Sequence, residues 1–119
     1  MLPFYPTIQY TNEHTKPNDR ILLFGMSGEY YLERDSINAS FWGGEMMFYS
    51  LKTAEKLVER LQELEIRYVI AKKPERETAE RLDWKLFNEL EQNGTLTPMY
   101  TKNGYTLYRF RSPTLKLTE

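Results

Sequence analysis

Two short apolar runs, separated by one amphipathic helical segment, place the strongest constraint on the fold of this chain. The first run is Ile21-Leu22-Leu23-Phe24, which Gly25 follows, and the second lies at 66–71. Runs of this length between turn signals are typical of strands buried on both faces of a sheet. A helix between two such strands predicts a right-handed crossover between parallel strands.

The helical segment between the runs is strongly amphipathic. Its apolar residues recur at the spacing of one helix face, while charged and amide residues occupy the other face. The apolar positions are Ala54, Leu57, Val58, Leu61 and Leu64. We expect this helix, which we place from Ser50 onwards, to cover one face of the sheet.

The residues before the first run predict a short helix. Thr7 is a suitable N-cap for a helix over 8–14, which must end before Pro17. The first six residues contain Pro3 and Pro6 and predict an arm without regular structure. After the first run, residues 30–32 predict a weaker strand and residues 35–49 an irregular stretch.

The C-terminal half predicts a second helix and a hairpin. Pro74 suits the first turn of a helix, and Asn93-Gly94 suits its end. Its predicted apolar face is Ala79, Leu82, Leu86, Phe87 and Leu90. Asn103-Gly104 then separates two strands, at 96–101 and 105–110, because both residues tolerate the positive φ of a two-residue turn.

The order of these elements predicts an α/β fold. We expect a three-layer-like mixed sheet that is parallel at its centre, with a C-terminal antiparallel β-hairpin and two main amphipathic helices. The expected organisation is a linker or arm at 1–6, a single domain at 7–111 and a C-terminal tail at 112–119.

Composition narrows the function classes. Sixteen Lys and Arg against 17 Asp and Glu give a net charge of −1, so no global field draws the chain to nucleic acid, and we expect no nucleic-acid partner. The absence of cysteine removes disulfides and thiolate chemistry. No apolar run approaches the roughly 18 residues needed to span a bilayer, so we expect no membrane insertion and a soluble isolated fragment.

Two features are weak candidates for chemistry. The turn at 24–29 follows a buried strand, but it lacks the three spaced glycines and the following helix of a dinucleotide site. His14 has no second imidazole to share a metal and no evident partner for general-base work. We therefore expect no catalytic residues, no cofactor and no metal in this chain.

The terminal hairpin interleaves aromatic and basic residues. They are Tyr100, Lys102, Tyr105, Tyr108, Arg109 and Arg111. Such a pattern suits single-stranded nucleic acid, yet cross-strand packing of tyrosines explains it more simply.

The segment 41–49 is the most unusual part of the sequence. It is dense in large apolar side chains, and Trp84 lies off the apolar face of its predicted helix. The segment 41–49 either caps one end of the core or forms a docking surface, and Trp84 is either a partner contact or an isolated exposed tryptophan. The candidate docking residues are Phe41, Trp42, Met46, Met47, Phe48 and Trp84.

Three stretches together carry a family resemblance: residues 10–25, residues 29–34 and residues 54–72. They resemble the soluble C-terminal domain that follows the last transmembrane helix in prokaryotic membrane glycosyltransferases related to dolichyl-phosphate-mannose protein mannosyltransferases. The resemblance spans roughly residues 8–111. Pro17 comes later than the usual Thr-Pro of that family, and Glu65 stands where its members commonly have glycine.

The resemblance implies an accessory role rather than a catalytic one. The family's catalytic acids lie in its membrane portion, so none is carried onto this chain. The parent enzyme would transfer a sugar from a polyprenyl-phosphate donor, and this domain would lie at the extracytoplasmic face of the membrane. Its implied partner is the membrane domain of the same polypeptide.

Two other readings stay open. One is a free-standing module that binds a small ligand or a protein at the aromatic hairpin or at the loop after Gly25. The other is a fragment of a nucleotide-using enzyme.

Overall fold

The computed structural model describes residues 3–24, 31–38, 53–72 and 82–111, without the side chains of residues 38 and 82–84. The described residues form three helices and five strands. In chain order these are α1 (Tyr5–His14), β1 (Arg20–Phe24), β2 (Asp35–Asn38), α2 (Ala54–Glu63), β3 (Ile66–Lys72), α3 (Leu82–Gln92), β4 (Leu96–Lys102) and β5 (Tyr105–Phe110).

The five strands form one mixed sheet in the order β2-β1-β3-β5-β4. Strand β1 is parallel to both β2 and β3, whereas β5 is antiparallel to β3 and β4. The predicted parallel centre and C-terminal antiparallel hairpin are therefore confirmed.

Helices cover both faces of this sheet. Because side chains alternate in direction along each strand, successive residues of β1 belong to two different clusters. Ile21 and Leu23 pack with Ile8 of α1 in one cluster. Leu22 and Phe24 pack in a second cluster with α2 and α3. The second cluster takes Leu57 and Leu61 from α2 and Leu86, Phe87 and Leu90 from α3. The described residues thus form three layers, and among them α1 is the helix on one side.

Helix α1 starts earlier than the sequence predicts. It begins at Tyr5, with Pro6 in its first turn. The prediction of an irregular arm at 1–6 is therefore wrong for residues 5 and 6. Phe4 rather than Thr7 occupies the N-cap position, and the buried Thr7 hydroxyl donates to the carbonyl of Tyr105 at 3.1 Å. A buried threonine hydroxyl needs a partner, and the tertiary structure supplies one on β5.

The second strand also differs from its prediction. Tyr31 and Leu32 lie outside any strand, while β2 occupies 35–38, within a stretch expected to be irregular. The Arg20 guanidinium links β2 to its neighbours: its Nε donates to Asp35 at 2.8 Å, and its Nη1 donates to the Leu64 carbonyl at 2.6 Å. This exposed ion pair adds little stability by itself, and the strand forms by pairing along β1, which local propensity does not specify.

The ends of the other elements follow from local chemistry. Thr53 caps α2 by accepting a hydrogen bond from the Lys56 amide at 3.2 Å. Asn103 and Gly104 both have positive φ, 56° and 84°, as the predicted two-residue turn requires. Pro98 interrupts the outer strand β4, where the register with β5 shifts; a proline without an amide donor suits an edge strand.

Glu65 adopts the left-handed conformation, with φ of 57°, directly after the end of α2. This is the position where glycine is favoured after a helix, since a side chain there costs roughly 1 kcal/mol.

We expect Glu65→Gly to raise the free energy of unfolding by about 0.5–1 kcal/mol, because relief of the strain exceeds the extra freedom of the unfolded chain. Urea denaturation measures the change. The matched control is Glu59→Gly in the middle of α2, which we expect to cost about 1 kcal/mol. Equal losses from both variants would contradict the assignment of strain to Glu65.

Candidate functional site: an aromatic strip beside the start of α1

Most of the predicted docking surface lies outside the described residues. This holds for Phe41, Trp42, Met46, Met47 and Phe48, and for the side chain of Trp84, whose backbone belongs to α3. The turn at 25–29, the start of the second predicted helix at Pro74, Ala79 and the tail at 112–119 also lie outside. Their roles stay predictions.

The hairpin tyrosines are core residues in this fold. Tyr105 and Tyr108 are buried on opposite faces of β5, which lies between β3 and β4. Helices cover both faces, so these two rings are not presented on an open sheet for stacking on bases. This arrangement is the cross-strand packing that the sequence favours.

The Tyr108 hydroxyl lies in a polar contact beneath α3. It hydrogen-bonds the side chains of Thr106 and Glu91. Burial of the phenol, followed by the negative charge of Glu91, raises the pKa of Tyr108 from 10.0 to about 12. The neutral phenol is therefore favoured in the folded state.

This shift predicts a loss of stability at high pH. The unfolded phenol ionises from about pH 10 and the folded one only near 12, so the stabilisation is complete below pH 10 and is lost as the pH rises to 12. Between these values we expect the stability of the wild type to fall by about 2 kcal/mol relative to Tyr108→Phe. Denaturation of both proteins across this range measures the difference. A constant difference would contradict the prediction, and Tyr31→Phe serves as the exposed control.

His14, the sole histidine, belongs to an aromatic stack. Its ring lies 3.8 Å from that of Tyr10, which in turn stacks on Tyr100 at 4.2 Å. His14 Nδ1 lies 2.9 Å from the Tyr10 carbonyl oxygen, which can only accept, so this nitrogen carries the proton. The stack joins α1 to β4 and explains the position of His14 by packing.

Arg34 and Asn12 fasten the segment before β2 to the end of α1. The Arg34 guanidinium donates to the carbonyls of Asn12 and Thr15 at 2.6 and 2.8 Å, and to the Thr15 hydroxyl at 3.0 Å. The Asn12 side chain donates to the Tyr31 carbonyl and accepts from the Glu33 amide. These contacts satisfy carbonyls that a helix end leaves open and hold Tyr31 beside α1.

We expect Arg34→Lys to lower the free energy of unfolding by about 2 kcal/mol, because an ammonium group cannot reproduce the planar fork of donors. Thermal and urea denaturation measure the loss. Arg109→Lys is the matched control, since Arg109 is exposed on β5, and it should change stability by less than about 0.5 kcal/mol. Equal effects of the two variants would show that the clamp contributes little.

Four aromatic rings from distant parts of the sequence form a continuous surface, which we call the aromatic strip. The Tyr5 and Tyr31 rings meet edge to face at 5.9 Å. Phe4 lies 5.9 Å from Tyr31 and 6.1 Å from Tyr105. Tyr5 and Tyr31 are 38% and 46% exposed, whereas Tyr105 is 8% exposed. The strip therefore runs from the core to solvent along the N-terminal end of α1.

Two lysines flank the buried end of the aromatic strip. Tyr105 pairs with Lys72 of β3 and with Lys102 of β4, and paired residues of antiparallel strands point to the same face. The Lys72 Nζ lies 5.4 Å from the centre of the Tyr105 ring, within cation–π range. Both lysines are exposed, so positive charge borders the rings.

Hydrogen bonds hold the strip in one geometry. Asn103 Nδ2 donates to the Pro3 carbonyl at 3.1 Å, which ties the hairpin turn to the residue before Phe4. The bond from Thr7 to the Tyr105 carbonyl fixes the next turn of α1 to the same hairpin. The aromatic strip is thus preorganised by contacts between residues about 100 positions apart in the chain.

The sequence patterns do not predict the aromatic strip. Phe4 and Tyr5 fall in the predicted arm, and Tyr31 falls in a predicted strand. The available signal was the recurrence of adjacent aromatic residues, Phe4-Tyr5 and Tyr30-Tyr31, in segments with little apolar periodicity. Only the tertiary structure brings them to one surface.

A separate groove of about 720 Å³ lies between the start of α2 and the C-terminal half of α3. Thr53, Ala54, Glu55, Leu86, Glu89, Gln92 and Asn93 line it. Its wall carries two carboxylates and two amides, and it contains neither His14 nor the aromatic strip.

Within the ranges that the structure describes, no group of three or more His, Asp or Glu residues is placed to hold a metal ion. No helix in the same part of the chain is both long enough and apolar enough to cross a membrane.

No protein-family model matches the chain, and no curated protein matches it significantly.

Proposed function

We propose that this chain is a non-catalytic accessory domain of an integral-membrane glycosyltransferase that uses a polyprenyl-phosphate sugar donor. In this proposal the domain lies at the extracytoplasmic face and contacts the membrane domain of its own polypeptide. The docking residues in the segment 41–49, and Trp84, belong to the same proposal.

The observation that carries the proposal is the placement of the aromatic strip. Its exposed members, Tyr5 and Tyr31, lie at the N-terminal end of α1. In a parent of the resembling family the last membrane helix precedes α1. The exposed aromatic surface would then lie on the side of the domain that faces the membrane, where amphipathic tyrosine side chains are favoured.

The order of elements also supports the proposal. The resemblance joins a helix, a strand, a Tyr-Tyr-Leu segment, an amphipathic helix and a second strand. The structure has α1, β1, Tyr31-Leu32, α2 and β3 in that order. The glycine that this family commonly carries after the amphipathic helix corresponds to Glu65, which adopts the glycine-favouring conformation.

Fractionation of the source cells tests the proposal directly. An antibody against the domain should detect a band several times heavier than 14.3 kDa, confined to membranes. Deletion of the domain from that parent should lower sugar transfer while the parent still reaches the membrane. A soluble band at 14.3 kDa would contradict the proposal.

A second candidate is a free-standing module that binds a small ligand. The observation in its favour is the strand order, in which β2 and β3 lie on opposite sides of β1. Open α/β sheets bind ligands at such a switch point, outside the carboxyl ends of the strands. A rise in melting temperature with nucleotides or sugar phosphates would favour this module, since a ligand that binds only the native state stabilises it.

A further inference from the structure

We propose that the aromatic strip, with Lys72 and Lys102, is a surface that contacts the lipid–water interface of an anionic membrane. This inference rests on the proposed function and deepens it by assigning a lipid surface, rather than protein, to the exposed end of the strip.

The chemistry of the strip fits an interface with one apolar and one wet side. Tyrosine has an apolar ring and a polar hydroxyl, and it is enriched where a membrane meets water. Tyr5 and Tyr31 expose 38% and 46% of their surface while their rings stay in contact with each other. The two residues can thus enter the headgroup region without a change of backbone structure.

The flanking charge indicates an anionic surface. Lys72 and Lys102 lie on either side of Tyr105 on one face of the sheet. A lysine near an anionic leaflet strengthens binding roughly fivefold. The long alkyl stems of lysine also allow the ammonium groups to reach phosphate while the stems lie against aromatic rings.

The strip is already ordered without a partner. Asn103 and Thr7 hold the two ends of the α1 turn to the hairpin, and the Asn12 side chain holds Tyr31 by its backbone. A preorganised surface avoids the ordering cost that weakens small contacts.

A second copy of the chain fits this surface less well. A stable dimer buries roughly 800 Å² on each partner, and two half-exposed tyrosines supply only a fraction of that area. The exposed part of the strip is therefore too small to hold a stable dimer by itself.

The test uses a single fluorescent reporter, which the absence of native cysteine permits. Lys102→Cys and Lys85→Cys each receive an environment-sensitive fluorophore; Lys85 lies on α3, in the layer opposite α1, and is also exposed. A polyhistidine tag tethers each protein to phosphatidylcholine vesicles that contain a nickel-chelating lipid, with or without phosphatidylglycerol. The tether imitates the proximity that a membrane-anchored parent would provide.

We expect blue-shifted emission at position 102 on vesicles with phosphatidylglycerol, and no shift at position 85. Tyr5→Ser combined with Tyr31→Ser should abolish the shift at 102, and Lys72→Gln should reduce the contacting population roughly fivefold. High salt should act like Lys72→Gln because it screens the charges. Circular dichroism and melting curves check that each variant stays folded.

Equal emission at 102 and 85 on these vesicles would overturn the inference. So would a shift that appears without vesicles and grows with protein concentration, because it would assign the strip to self-association. Neither result bears on the cell fractionation, which tests the proposed function independently. If fractionation finds a membrane-bound parent but the reporter at position 102 shows no shift, the accessory role stands and only the lipid contact is contradicted.

Discussion

Leu107→Ala should lower the free energy of unfolding by about 3 kcal/mol and the melting temperature by roughly 10 °C. Leu107 is fully buried on β5, in the cluster between the sheet and α1, and it pairs with Ile70 of β3. Truncation removes apolar burial and leaves a cavity in a close-packed cluster, so little can move in to fill it.

Leu107→Met is the matched control for this site. It conserves most of the volume and should cost less than about 1.5 kcal/mol. Urea denaturation with an unchanged m-value measures both variants as changes in stability rather than in compactness. Equal small losses from Ala and Met would show that the α1 layer is loosely packed.

Phe87→Ala should have the largest effect in the other layer, a loss of about 4 kcal/mol. The Phe87 ring, from α3, stacks on Phe24 of β1 and meets Tyr108 of β5 edge to face, both at 5.3 Å. Such pairs contribute about 1 kcal/mol beyond their buried area. Thermal denaturation followed by circular dichroism measures the loss.

Phe87→Leu separates burial from ring geometry. It keeps an apolar side chain but loses both aromatic contacts, so we expect a cost of about 1–2 kcal/mol. Because Phe87 and Leu107 lie in clusters on opposite faces of the sheet, Phe87→Leu and Leu107→Met should be additive within about 0.5 kcal/mol. A larger coupling would contradict two independent core layers.

Much of the fold was predictable because local patterns and tertiary contacts agree. The apolar run at 21–24 is buried on both faces, and the helical period after Thr53 places Leu57 and Leu61 in the core. Asn103-Gly104 specified its turn because few residues accept two positive φ values in succession. These signals act within a few residues, so a sequence displays them directly.

The candidate site was not predictable in the same way. The docking residues at 41–49 remain a prediction, while the aromatic strip emerged from segments that sequence reasoning treated as an arm and a strand. Tyr5, Tyr31 and Tyr105 become neighbours only when α1 packs on β5 and the segment before β2 is fastened to α1. No local rule links positions so far apart.

The sequence by itself determined the strands β1 and β3, the amphipathic helix between them, the buried face of α3 and the terminal hairpin, because periodicity and turn chemistry are local. Only the tertiary structure decided the start of α1, the position of β2 and the left-handed conformation of Glu65. At the first two of these places the structure shows contacts from distant elements: the Tyr105 carbonyl accepts from the buried Thr7 hydroxyl, and Arg20 links the exposed Asp35 to the Leu64 carbonyl at the end of α2. Local propensities are worth a few tenths of a kcal/mol per residue, and a buried hydrogen bond such as that of Thr7 is worth more.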